Sequence, residues 1–206
     1  MNSAERTIEF WYEFASTYSY PAALRVEPMA AEAGVTVLWR PFLLGPIFAE
    51  LGWSTSPFNL QPAKGAYMWH DVARSCEKLG QAFRRPEPFP QNGLLAARVA
   101  TALPDGGTRG HFTRAVYRAE FAEGRVISEP EVIAALLSAQ GLDAESLLAQ
   151  AAEPSNKQAL RAQTEAAQRH GIFGAPSWRT ADGELFWGND RLEEALAWAR
   201  EARASA

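Results

Sequence analysis

The sequence predicts an α/β fold in which a long helical stretch separates two β-containing ends. Three observations predict it. Period-two apolar alternation occurs near the start and near the end of the chain. Residues 64–170 between them carry apolar side chains at helical spacing, interrupted by Gly and Pro. A strand–helix–strand order opens the chain, and a strand–turn–strand–helix order closes it.

Ile8, Phe10, Tyr12 and Phe14 alternate with Glu9, Trp11 and Glu13, which predicts a strand. Ser16 or Thr17 is placed to cap a following helix, and Pro21 is tolerated in its first turn. That helix is expected to reach about Glu32, with Gly34 ending it. Val35, Val37 and Trp39 alternate again and predict a second strand running to Phe42, completing a right-handed βαβ unit. Residues 52–63 are rich in Ser, Pro, Asn and Gly and read as loop. A helix from Lys64 places Met68, Val72, Cys76 and Leu79 on one face, and Gly80 with Pro86, Pro88 and Pro90 ends it. Asn92 can cap a helix with Leu95, Val99 and Ala102 inward. Residues 110–123 carry Phe112, Ala115, Val116 and Ala119 at helical spacing, stopped by Gly124. Ser128-Glu129-Pro130-Glu131 has the form of a capping box, and its helix ends at Gly141. Helices over 143–152 and 156–170 follow, the second closed by Gly171. Residues 177–180 and 184–187 flank Ala181-Asp182-Gly183 and predict a hairpin. Asn189 or Asp190 then caps a last helix with Leu192, Leu196 and Ala199 on one face. The order βαβ, helices, ββα is that of a thioredoxin-like domain with a large all-helical insertion. The division expected is 1–50 with 171–206, and 51–170 as the insertion.

Composition narrows the function. The chain has 206 residues, 47% hydrophobic and 21% charged, which excludes wholesale disorder. Its net charge is −4 and no block of Lys and Arg stands out, so nucleic acid is not an expected partner. Cys76 is the one cysteine, which excludes an internal disulfide and a dithiol redox motif. His70, His111 and His170 lack ligand spacing, so no metal site is expected. No signal peptide or membrane-length apolar window is visible, and a cytoplasmic location is the expectation.

Several positions could carry chemistry. Ser16 lies between a strand and a helix start, where backbone N–H groups and the helix dipole favour an anion. In a thioredoxin-type fold a reactive cysteine stands there; here the spacing reads Ser16-x-x-Ser19. The bland alternative for Ser16 is a simple cap. Pro176, directly before a strand, is a candidate cis-proline, and Ala175 could offer its backbone to an extended peptide; a trans proline is the alternative. Gly188-Asn189-Asp190-Arg191 is either plain capping or a seat for an α-amino-acid end, with Asp190 holding the ammonium. Lys64, Tyr67, Asp71 and Arg74 share a helix face, which is a solvated stripe or an anion site. Lys64 is electrostatically misplaced at a helix start, and Asn59 has no obvious local role. Cys76 falls on an apolar face and reads as inert core, and His70 as a surface residue.

Taken in order, Phe14-Ala15-Ser16-Thr17-Tyr18-Ser19-Tyr20, Phe42-Leu43-Leu44-Gly45-Pro46-Ile47-Phe48, Pro62-Ala63-Lys64-Gly65-Ala66-Tyr67-Met68, Phe89-Pro90-Gln91-Asn92, Gly171-Ile172-Phe173-Gly174-Ala175-Pro176 and Phe186-Trp187-Gly188-Asn189-Asp190-Arg191 form a pattern. It resembles the 2-hydroxychromene-2-carboxylate isomerase family, close to kappa-class glutathione transferases and DsbA-like folds. The resemblance runs from Ile8 to about Trp198. It implies glutathione as cofactor, with Ser16 as the catalytic serine contacting the sulfur. It implies that Ala175 and Pro176 hold the cysteinyl part, that Asn189 and Asp190 meet the γ-glutamyl end, and that Lys64 belongs to the glutathione site. Asn59, Asn92 and Phe48 map around the substrate pocket. A homodimer is implied too. Thr17 stands where many members have proline, and Tyr20-Pro21 where Tyr-Leu is commoner.

The chemistry follows from these parts. A thiol with a pKa of roughly 8.5 is mostly protonated at neutral pH, and a hydroxyl donor at a helix N-terminus lowers that value. A thiolate can add to a conjugated enone, allow rotation about the former double bond, and leave unchanged. Trp11, Trp39, Trp53, Trp69 and Phe48 are possible pocket walls, with core packing as the alternative. The expected activity is glutathione-dependent cis–trans isomerisation of an aromatic ring-cleavage product. A kappa-like transferase forming a stable conjugate, and a non-catalytic glutathione-binding protein, are the alternatives.

Overall fold

The computed structural model describes residues 6–201. Strands β1 (Thr7–Tyr12), β2 (Thr36–Pro41), β3 (Ser177–Thr180) and β4 (Leu185–Trp187) form one sheet in the order β2-β1-β3-β4. β2 is parallel to β1 through the crossover helix α1 (Ser19–Ala33). β3 is antiparallel to β1, and β4 to β3. Between β2 and β3 lie α2 (Leu44–Glu50), α3 (Pro57–Leu60), α4 (Pro62–Lys78), α5 (Leu94–Ala102), α6 (Gly107–Phe121), α7 (Pro130–Ser138), α8 (Ala144–Ala152) and α9 (Pro154–Arg169). A 3-10 turn, Asn189–Arg191, leads into α10 (Leu192–Glu201). The thioredoxin-like α/β architecture with inserted helices is the one the residue pattern predicts. No helix among the described residues is long and apolar enough to cross a membrane.

β1 is buried on both faces because its neighbours and the helices cover it. Ile8, Phe10 and Tyr12 face the larger core with Ala22, Ala23 and Val26 of α1. Phe10 stacks on Trp178 at 4.5 Å and meets Trp39 edge-on at 5.2 Å. Such aromatic pairs contribute about 0.5–1.5 kcal/mol beyond their area. Trp11 faces the other side, with Phe42, Ile47, Ala167 and Ile172. Glu9 on that side pairs with Arg40 of β2 and Arg179 of β3, each at 3.3 Å. The larger core runs without a break from these sheet residues into Val99, Phe112, Ile133 and Leu160 of the inserted helices.

Several local expectations are corrected. The cap residue of α1 is Tyr18 rather than Ser16 or Thr17, because residues 17–18 form a turn before the helix begins at Ser19. Pro28 lies inside α1, on its exposed face, where water can reach the carbonyl that loses its partner. Leu44–Glu50 is helical, and the loop expected over 52–63 contains α3, capped by the Ser56 hydroxyl accepting from the Phe58 N–H. α4 starts at Pro62, two residues before Lys64. Gly65 is where α3 and α4 touch: a Cβ there would lie 2.3 Å from the Phe58 carbonyl oxygen. Leu79 is exposed, and α5 buries Ala96, Ala97, Val99 and Ala100, while Leu95 and Ala102 are half-buried. The capping box at 128–131 does not form; Glu129 is the cap residue and contributes no side-chain bond, although Pro130 does start the helix. The last helix likewise receives no side-chain cap from Asn189 or Asp190.

Buried Gln91 ties the proline-rich segment to the loop after α6. Its amide oxygen accepts from the Ile127 N–H at 2.7 Å, and its NH2 donates to the Arg125 carbonyl at 3.2 Å. Cys76 is fully buried in α4, and burial pushes its thiol up to about 11, so it is inert core as expected.

α6 carries an uncompensated acid. Glu120 is wholly buried, and neither carboxyl oxygen has a partner among the described residues. Burial, reinforced by Glu13, holds its pKa well above the ordinary carboxylate value. Burial also pushes Glu13 up to about 8, against the bond from Ala15. Raised folded-state values mean that the fold is favoured at low pH. That contribution is complete below the unfolded carboxylate value and is lost as pH rises through the raised values. Replacing Glu120→Met is expected to stabilise the protein by about 1–3 kcal/mol near pH 8. The gain should be smaller near pH 5. Denaturant unfolding at the two pH values checks this, and a destabilised variant near pH 8 contradicts it.

Candidate functional site

The site forms where the carboxyl end of β1 meets the segment before β3. β1 and β3 pair with Trp11 opposite Ser177. This register brings the turn after β1 beside Ala175 and Pro176. The Ala175–Pro176 peptide bond is cis. Ser16 lies in that turn, half-buried, and its hydroxyl makes two bonds. It accepts from the Ser19 N–H at 3.3 Å and donates to the Ala175 carbonyl at 2.9 Å. The Ser19 N–H is shared, since it also donates to the Ser16 main-chain carbonyl at 3.2 Å. The bond to Ala175 joins residues 159 positions apart. Among the described residues the Ala175 N–H donates to no protein acceptor. The Ser19 hydroxyl is buried beside Tyr117.

The turn before α10 joins this group through the backbone. The Gly188 N–H donates to the Pro176 carbonyl at 3.0 Å, and the Trp178 indole donates to the Gly188 carbonyl at 2.8 Å. Asn189 and Asp190 therefore follow directly on a residue bonded to Pro176. Both are accessible, and the Asp190 side chain is 77% exposed. Ser16, Ala175, Pro176, Asn189 and Asp190 are thus one connected assembly.

Lys64 stands further off, separated from the Ser16 turn by two aromatic rings. Its ammonium lies 5.9 Å from the Phe58 ring centroid. Phe58 packs against Tyr18 with centroids 6.4 Å apart, and Tyr18 is two residues after Ser16. The Tyr18 hydroxyl donates to Asp71 at 2.9 Å, and Arg74 pairs with Asp71 at 3.0 Å. Burial and the neighbouring Asp71 carboxylate both raise the Tyr18 pKa, so Tyr18 stays a neutral donor. The α4 stripe is therefore organised around Asp71 and Tyr18, and Lys64 itself is exposed and outside the Asp71 pairing.

Other expected residues stand further out. Asn92 is exposed, and its amide oxygen accepts from the Leu94 N–H at 3.0 Å, but the cap residue of α5 is Gly93 and not Asn92. The next residue, Gly93, packs on Phe14: a Cβ on Gly93 would lie 2.8 Å from the Phe14 Cβ. That contact keeps Asn92 near the Ser16 turn. The Asn59 amide donates to Thr55 at 3.2 Å, and Phe48 packs on Trp53 at 5.6 Å. No described contact joins either side chain to Ser16. Trp11 and Trp39 are core residues, whereas Trp69 packs on Phe89 at 4.6 Å under Arg85. Two site residues escaped the sequence reading. Tyr18 lay within the motif but gave no sign of its partner on α4. Arg25 gave no signal at all, because its partners lie 164 and 168 residues away.

Comparisons with known proteins give the family and the fold. The family model for the DSBA-like thioredoxin domain matches residues 7–197. Human glutathione S-transferase kappa 1 is 29% identical over 206 aligned residues, covering 94% of this chain and 90% of that protein. The 2-hydroxychromene-2-carboxylate isomerase of Sphingobium xenophagum is 28% identical over 190 residues, covering 91% and 95%. A solved structure of a selenomethionine-substituted 2-hydroxychromene-2-carboxylate isomerase superposes with a TM-score of 0.84, at 21% identity over 93% of each chain. The match over residues 7–197 places this chain in the DSBA-like thioredoxin domain family.

Proposed function

We propose that this protein is a glutathione-dependent cis–trans isomerase of the 2-hydroxychromene-2-carboxylate isomerase type, acting on a conjugated product of aromatic ring cleavage. The observation that carries the reading is the Ser16 hydroxyl, held between the Ser19 N–H and the Ala175 carbonyl. It occupies the place where a thioredoxin-type redox site carries a thiol. The motif has no cysteine, and Cys76 is buried elsewhere. The protein therefore supports a nucleophile that arrives with a ligand.

The residues present fit glutathione by the chemistry of their donors and acceptors. Ala175 offers a main-chain N–H without a protein partner beside a cis-proline, which suits an extended peptide. Asp190 offers an exposed carboxylate to an ammonium, and Lys64 an exposed ammonium to a carboxylate. When bound, glutathione supplies a thiol that can add to a conjugated double bond and leave again. Ser16 can turn its O–H from the Ala175 carbonyl toward a sulfur seated beside it. The amino end of α1 adds its dipole at the same point, and both favour a sulfur anion over a thiol. A serine cannot form a mixed disulfide, so Ser16 stabilises charge without exchanging electrons. Holding the reacting groups together outside bulk water supplies the rest of the rate enhancement.

The identity with human glutathione S-transferase kappa 1 favours a second reading, conjugate formation on the same site. The product separates the two. With 2-hydroxychromene-2-carboxylate and glutathione, the expected outcome is an isomer and an unchanged total of free thiol. Stoichiometric loss of thiol selects the transferase, and neither product overturns both readings. Ser16→Ala is expected to lower turnover by about 10²-fold or more, as removal of one charge-stabilising donor does. Calorimetric glutathione binding should survive within about threefold, since the Ala175 and Asp190 contacts remain. Unchanged turnover in this variant removes Ser16 from the chemistry.

A further inference from the structure

The turn that carries Asn189 and Asp190 is held from α1 by one guanidinium. The Arg25 Nε donates to the Asn189 Oδ1 at 3.1 Å, and its Nη2 donates to the Asn189 carbonyl. Nη1 and Nη2 also reach the two carboxylate oxygens of Glu193, the latter at 3.2 Å. Only 13% of the Arg25 side chain is exposed. A planar fork of donors can serve these four acceptor atoms at once, which an ammonium cannot do in fixed geometry.

This arrangement has a chemical consequence for Asn189. Its amide oxygen and its main-chain carbonyl are both already used as acceptors. Flipping the amide would set its NH2 against the guanidinium, so the orientation is fixed. The Nδ2 then faces no acceptor among the described residues and remains available as a donor. The adjacent Asp190 folds its carboxylate back over Gly188, where a Cβ would lie 2.4 Å from the Asp190 Oδ1. Gly188 also has φ of 119°, a conformation that suits glycine. The turn thus presents an NH2 donor and a carboxylate acceptor on consecutive residues. That pair is the complement of an α-carboxylate and an α-ammonium.

We propose that Arg25 is a positioning residue that fixes the polarity of this turn, so that it selects peptides carrying a γ-glutamyl α-amino-acid end. The inference rests on the glutathione reading; the family resemblance already implies the γ-glutamyl end at Asn189 and Asp190, and what is new is the role of Arg25. Arg25 touches no ligand in this account; it acts through Asn189.

The test compares two thiol-free peptides, γ-glutamyl-alanyl-glycine and alanyl-glycine. Alanine in place of cysteine keeps Ser16 chemistry out of the readout. Binding is measured by calorimetry or NMR titration with the wild type, Arg25→Ala and Arg25→Lys. Wild type is expected to prefer the tripeptide by about tenfold or more, the size of one charge-assisted bond. Arg25→Ala should lose about tenfold on the tripeptide and stay within about twofold on the dipeptide. Arg25→Lys keeps a cation for Glu193 and should melt like the wild type, yet it should lose the preference, because it cannot hold both Asn189 acceptors. Equal weakening of both peptides, a preference that survives Arg25→Ala, or a full rescue by lysine overturns the assignment. A wild type that binds the dipeptide and tripeptide alike overturns the assignment but leaves the glutathione site standing. A wild type that binds neither peptide nor glutathione overturns the glutathione reading, and the role of Arg25 with it.

Discussion

β1 is hydrogen-bonded along both edges, and its register with β3 sets Trp11 opposite Ser177. Everything at the candidate site hangs from that register. Ala175 and Pro176 immediately precede Ser177, and the Ser16 turn follows the end of β1. A slip of β3 by one residue would turn Trp178 out of the core and carry Ala175 away from Ser16. The stack of Phe10 on Trp178 at 4.5 Å therefore holds the chemistry in place as well as the fold. The hydroxyl bridge from Ser19 through Ser16 to Ala175 is the local expression of the same constraint.

The electrostatics around that bridge are those of dipoles and not of nearby fixed charges. A hydroxyl, a helix amino end and a main-chain N–H surround the place where a sulfur would sit. Arg25 is committed to Asn189 and Glu193, and Arg74 to Asp71. Lys64 stands beyond Phe58 and Tyr18. In the proposed glutathione complex, such a site would stabilise a small anion without drawing a second charged group onto it, which suits a thiolate that must also leave. Behind it, Glu13 and Glu120 are held up by burial and resist ionisation, so they add little negative charge near neutral pH.

Much of this was legible in the sequence because it is written locally. The alternation of Ile8, Phe10 and Tyr12, the glycines that end helices, and the Asp182-Gly183 turn each declare themselves within a few residues. The pairing of Ser16 with Ala175 became legible only through the order of several motifs, since 159 residues separate them. What stayed hidden was competition for side chains. Asn189 looks like a helix cap, yet Arg25 takes its amide oxygen and the Glu193 carboxylate as well. Asp71 looks like half of a surface ion pair, yet it also accepts the Tyr18 hydroxyl beside the site. The short helices α2 and α3 were hidden for another reason. They are held by tertiary packing, such as the close approach of Gly65 to Phe58, and not by propensity.

The central claim is that Ser16, at the head of α1, stabilises a bound glutathione thiolate. The direct measurement is the pKa of that thiol in the complex, followed by the ultraviolet absorbance of the thiolate as pH is raised. The account predicts a value below the roughly 8.5 of an unperturbed thiol in the wild type. It also predicts a return toward that value in Ser16→Ala. A bound thiol that titrates like the free one in the wild type, or a lowered value that Ser16→Ala leaves untouched, contradicts it.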